Sequence, residues 1–132
     1  MKTARWIFTM VAVLFVAAAC SNDATGGDRQ AGTLTVRLTT PNADDGAMTF
    51  QVSGAAIDSA TAVNQSLRLF TRRDGGDVVG VVVGALANGA VITLQVPDVG
   101  EAARYTATVL EVADRQDALR ASLVGYALTV TR

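Results

Sequence analysis

The residues from position 32 onward predict an all-β fold, a single antiparallel β-sandwich or jelly roll of about eight short strands. Three observations carry this expectation. Apolar and polar residues alternate with a period of two in successive segments. Clusters of Gly, Asn, Asp and Pro punctuate those segments at regular spacing. No stretch after residue 20 sustains a helical period. Short strands with regular turn signals are the pattern of sandwiches and barrels.

The elements follow in order. Leu34, Val36 and Leu38 alternate with Thr33, Thr35, Arg37 and Thr39, a half-buried strand ended by Pro41 and the turn-forming 42–46 segment. Met48, Phe50 and Val52 alternate with Ala47, Thr49 and Gln51 in a second strand, stopped at Ser53-Gly54. Residues 60–63 read as a short third strand and 66–73 as a fourth. Asp74-Gly75-Gly76-Asp77 is a turn, and 78–86 a fifth strand. Asn88-Gly89 between two apolar runs predicts a hairpin into a sixth strand at 91–96, closed by Pro97-Asp98. A seventh strand covers 105–112 and a single helical turn 114–119. An eighth strand covers 122–131, with Val124, Tyr126, Leu128 and Val130 on one face.

The N-terminal segment has a different character. Lys2 and Arg5 precede 13 uncharged residues, 7–19, which is the length of a signal-peptide apolar core and short of the ~20 residues a spanning helix needs. Ala17, Ala18 and Ala19 then lead directly into Cys20. This resembles the lipobox of bacterial lipoproteins, with Ala17 where that family most often has Leu. The resemblance implies a diacylglycerol thioether on Cys20, cleavage before it, and acylation of the new amine. In a two-membrane envelope, Ser21 implies sorting to the outer membrane. Residues 1–19 are then the signal, 20–31 a lipidated Cys and polar tether, and 32–132 the folded domain. The tether reaches at most roughly 35–40 Å.

Removing the signal leaves 113 of the 132 residues, enough for one core. The mature chain keeps nine basic residues, all Arg, against twelve acidic ones, a formal charge of −3. That balance argues against nucleic-acid binding, which wants a basic patch. The only Cys is Cys20, so no disulfide and no Cys metal ligand remains.

A second resemblance lies in Asp45-Gly46-Ala47-Met48-Thr49-Phe50-Gln51-Val52, which looks like an early strand of cohesin-type and related carbohydrate-binding sandwiches. It implies an immunoglobulin-like arrangement of strands and a protein or carbohydrate partner. Those domains commonly continue with an aromatic-Asp-Pro step where this chain has Ser53-Gly54-Ala55.

Candidate chemistry is sparse. The chain has no His, which removes the usual general base and the commonest metal ligand, and the mature part has no Lys nucleophile. Carboxylate pairs occur at Asp44/Asp45, Asp74/Asp77, Asp98/Glu101 and Asp114/Asp117, each in a predicted turn where Asp is common for backbone reasons. A carboxylate hydrolase would need two of these about 5–10 Å apart in one cleft. Neither Asp74–Asp77 nor Asp44–Gly46 matches an EF-hand loop, so no metal and no cofactor is expected. Arg68, Arg72 and Arg73 read as a solvated face paired with Asp74 and Asp77. Only Tyr105 and Tyr126 could stack on a ring, and Tyr126 reads as core, so the aromatic content gives no sugar platform.

The fifth strand carries apolar residues on both faces: Val79, Val81 and Val83 on one, Val78, Gly80, Val82 and Gly84 on the other. A strand buried on one side alternates with polar residues, so the flat Val78–Gly80–Val82–Gly84 face is the expected partner-contact face. Such a face must stay apolar and exposed. The sequence thus predicts a lipid-anchored, non-enzymatic binding or assembly domain of the cell envelope. A purely structural envelope protein and a carboxylate hydrolase are the alternatives.

Overall fold

A computed structural model describes residues 28–132; the signal, Cys20 and most of the tether lie outside the described residues. Eight strands form two antiparallel four-stranded sheets. They are β1 (Gly32–Thr39), β2 (Asp45–Ser53), β3 (Ser59–Ala62), β4 (Arg68–Asp74), β5 (Asp77–Val83), β6 (Gly89–Val96), β7 (Thr106–Asp114) and β8 (Ala127–Thr131). One sheet has the order β3-β6-β1-β8 and the other β4-β5-β2-β7.

The period-two pattern becomes the core. Leu34, Val36 and Leu38 of β1 and Ile92, Leu94 and Val96 of β6 face Met48, Phe50 and Val52 of β2 and Val78 and Val82 of β5. Phe50 is the largest of the fully buried side chains. Each such residue contributes roughly 1.5–3 kcal/mol by leaving water, so an aliphatic core suffices without disulfides.

Both ends of the described residues lie at the same end of the sandwich. The Gln30 carbonyl accepts from the Val99 N–H at 2.8 Å, and the Arg132 guanidinium donates to Gln30 Oε1 at 3.0 Å. This near end also holds the β4–β5 turn and a 3₁₀ turn, Val99–Arg104. Asp98 caps that turn by accepting from the Gly100 N–H at 2.9 Å. The far end holds the 84–88 and 115–126 segments.

The turn expected at Asp74-Gly75-Gly76-Asp77 closes the β4–β5 hairpin. Of its two loop glycines only Gly75 takes a positive φ, 61°, the pattern of a type II′ turn. Three expectations need correction. Asn88-Gly89 does not close a hairpin: β5 pairs with β4 and β2, whereas β6 pairs with β1 and β3. The 84–88 segment instead crosses between sheets, with Leu86 plugging the core and the Asn88 side chain accepting from the Thr40 N–H at 2.7 Å. Residues 114–119 are a reversing turn, not a helical one. Asp114 Oδ1 accepts from the N–H groups of Gln116 and Ala118, and Asp117 sits at φ 64°. The eighth strand starts only at Ala127, because Gly125 (φ 85°) turns the chain and leaves Val124 84 % exposed.

Candidate functional surface

The expected contact face is not a surface. Val78, Gly80 and Val82 point inward and are buried, and Gly84 is half-buried at the far end with φ 146°. Gly80 is small because Phe50 occupies its space. A Cβ there would lie 2.8 Å from Phe50 Cζ and 2.8 Å from the Phe70 carbonyl oxygen. Gly80→Ala is therefore expected to cost about 1–3 kcal/mol by overpacking. Thermal melts check this against Gly76→Ala, where a new methyl meets nothing within 4 Å.

The other face of β5 is the one that meets solvent. Register places Phe70 of β4, Val81 of β5, Thr49 of β2 and Glu111 of β7 in one row across the sheet. The row toward the far end is Arg68, Val83, Ala47 and Ala113, extended by Leu119 through its bridge to Ala113. The row toward the near end is Arg72, Val79, Gln51 and Thr108. Phe70 is 62 % exposed and Leu119 67 %, while Val79 and Val81 are half-buried between their neighbours. A shallow groove of about 370 Å³ runs along Phe70, Val79, Val81 and Thr49. The result is an apolar strip with Arg on one edge strand and Glu on the other. A strip of this kind is a feature of contact surfaces.

The far end holds the strongest polar cluster. Asp45 opens β2 and is 0 % exposed. Its carboxylate accepts from Thr40 Oγ1, from Tyr126 OH at 2.9 Å, and from Arg120 Nε and Nη2 at 3.0 and 2.8 Å. Burial alone would push the Asp45 carboxyl up. The hydrogen bonds from Thr40, Arg120 and Tyr126, with the Arg120 charge, outweigh that and hold it below the usual carboxylate range. Arg120 is correspondingly pushed up, by its hydrogen bonds to Asp45 and Asp44. Tyr126 is thus half-buried with its ring on the core and its hydroxyl in this network, where Asn42 Nδ2 also donates to it at 2.7 Å. The cluster ties 115–126 across the far end. Sequence reasoning singled out neither Arg120 nor this role for Tyr126.

The remaining candidates scatter. Asp74 and Asp77 face each other across the hairpin, and Asp77 accepts from Gln51 Nε2. Asp98 caps the 3₁₀ turn, and Glu101 pairs with Arg104 at 2.8 Å. Arg68, Arg72 and Arg73 make no ion pair among the described residues, contrary to the expected pairing with Asp74 and Asp77; Arg73 donates instead to the Asp58 carbonyl at 2.9 Å. Tyr105 is buried, with its hydroxyl on the Ala56 carbonyl, so it offers no stacking platform. Burial, then the charges of Glu101 and Asp58, push its phenol up. Among the described residues no three of His, Cys, Asp or Glu gather as a metal site, and no helix is long and apolar enough to cross a membrane. No family model, curated protein or solved structure matches the chain.

Proposed function

We propose that this chain is an exported lipoprotein whose sandwich acts at a membrane surface as a non-catalytic binding or assembly module of the cell envelope. The carrying observation is Cys20, set directly after Ala17-Ala18-Ala19 and a charged-then-apolar leader, with no other Cys in the chain. The fold is compatible with this role. The chain enters β1 at one end of the sandwich, close to Gln30, so a lipid on Cys20 anchors that end. Asp44 and Asp45 are engaged by Arg120 rather than free for acid–base work, which supports binding over hydrolysis. Two or three acyl chains hold a protein stably, whereas one gives marginal binding.

The test is metabolic labelling with a clickable fatty acid, followed by fractionation. Wild type is expected to carry label and to stay with membranes through high salt. Cys20→Ser is expected to lose the label and accumulate as a larger precursor. Unlabelled wild type in the soluble fraction would overturn the reading. In a two-membrane cell, density separation is expected to place it in the outer membrane.

A further inference from the structure

We propose that the outer face of the β4-β5-β2-β7 sheet binds a second copy of this chain, with the two-fold axis parallel to the strands. This rests on the anchor reading only in requiring both copies to sit on one membrane.

Two identical sheets packed face to face are related by an axis in the plane between them. An axis across the strands through the Phe70 row would lay β4 on the partner's β4 and set Arg68 of one copy against Arg72 of the other. An axis along the strands lays β4 on β7 instead. Glu111 lies in the row of Phe70, midway between the rows of Arg68 and Arg72. It would therefore enter between the two arginines of the other copy, and those arginines have no ion-pair partner among the described residues. The centre would set Val83 over Ala47, Val81 over Thr49 and Val79 over Gln51, whose amide is held by Asp77, so that valine meets small or already satisfied side chains. Phe70 would meet the edge that carries Leu110 and Leu119, both exposed. Like charges opposed across an interface cost affinity and unlike charges fix register, so the charge layout selects the second axis.

Chain direction selects the same one. An axis along the strands keeps the near ends of both copies on the same side, because it leaves strand direction unchanged. Both tethers then lead to one bilayer. The axis across the strands would start one tether about 23 Å farther from it, a distance that tether would have to span nearly extended.

The area sets the strength. Four strands ~4.8 Å apart and seven residues of ~3.3 Å cover about 440 Å² per copy. The total of about 900 Å² falls below the 1,200–2,000 Å² of stable complexes. The pairing is therefore weak between free chains. It becomes populated when both copies are confined to a membrane, which raises their local concentration without any new contact.

Single cysteines test this in the membrane-bound full chain with a bis-maleimide of ~8 Å span. Thr49→Cys lies beside the axis; Thr129→Cys lies on the outer face of the other sheet, where β8 pairs with β1. Thr49→Cys is expected to give a crosslinked dimer at least fivefold above Thr129→Cys. Adding Glu111→Arg is expected to abolish that excess, and adding Arg68→Glu and Arg72→Glu to restore it. Equal crosslinking at both positions, or none at Thr49→Cys, would overturn the proposal, as would no response to Glu111→Arg. The chain without an added Cys separates the two readings. A dimer there means a free Cys20 thiol and refutes the anchor, and the face is then judged by the same comparison in a Cys20→Ser background.

Discussion

Gly54→Ala is expected to destabilise the domain by at least ~4 kcal/mol, which lowers the melting temperature by roughly 16 °C or more for a domain of this size. Two effects add. Gly54 ends β2 with φ 118°, a backbone conformation that only Gly adopts without a cost of order 1–3 kcal/mol. A Cβ there would also fall inside the van der Waals sphere of the Arg104 carbonyl oxygen. That atom is backbone and cannot swing aside. It belongs to the end of the Val99–Arg104 turn, which is held by its Asp98 cap and by the Tyr105 hydroxyl on the Ala56 carbonyl. The collision would separate the 55–58 segment from the 3₁₀ turn and open the near end. Soluble yield and a thermal melt measure this. A variant melting within 3 °C of wild type would show that the close approach is not required.

The second large effect belongs to Asp45. Asp45→Ala leaves the buried Thr40 hydroxyl and the Tyr126 hydroxyl without their shared acceptor, while Arg120 keeps Asp44; losing hydrogen bonds to a charged group of this kind costs about 1.5–3 kcal/mol. The pH dependence distinguishes this from simple loss of packing. The folded-state pKa of Asp45 lies below its unfolded value of about 3.9. Below that value the unfolded state binds more protons than the folded state. The stability contributed by this carboxylate is therefore fully present above about pH 5, and is lost as pH falls through the folded pKa. Urea midpoints are expected to fall with acidification more steeply for wild type than for Asp45→Asn, so the gap between them narrows below pH 4. A gap that stays constant down to pH 2 would place the effect elsewhere.

The contrast between these two sites shows which features of the sequence are local. Alternation at Leu34–Leu38 and Met48–Val52 predicts strands because each residue's face depends only on its parity. Asp45 breaks the parity of β2, since its register with β7 shifts between Asp45 and Ala47. By parity it belongs outside with Ala47, yet it is buried. Its partners Arg120 and Tyr126 come from more than 70 residues away, and nothing in the spacing of the chain announces that meeting.

The fifth strand is instructive in another way. Both of its faces are apolar, so parity leaves two answers. Choosing Val78–Gly80–Val82 as the contact face reads the glycine as flatness. Gly80 is instead the recess for Phe50, whose ring arrives from β2. The surface belongs to Val79, Val81 and Val83, and the exposed Phe70 beside them is the signal that points there. Asn88-Gly89 misleads for a related reason: a local turn preference does not choose the sheet in which the next strand pairs. The Val99–Arg104 turn is legible in retrospect from Asp98, a capping residue followed by Val99, Gly100 and Glu101.

The proposed function rests on lipidation at one residue, Cys20. Mass spectrometry of the N-terminal peptide from protein isolated in native envelopes is the most direct test. The expected result is a mature chain that begins at Cys20 and carries a diacylglyceryl thioether, with residues 1–19 absent. A chain that begins at any other residue, or one that keeps an unmodified Cys20 thiol, would contradict it.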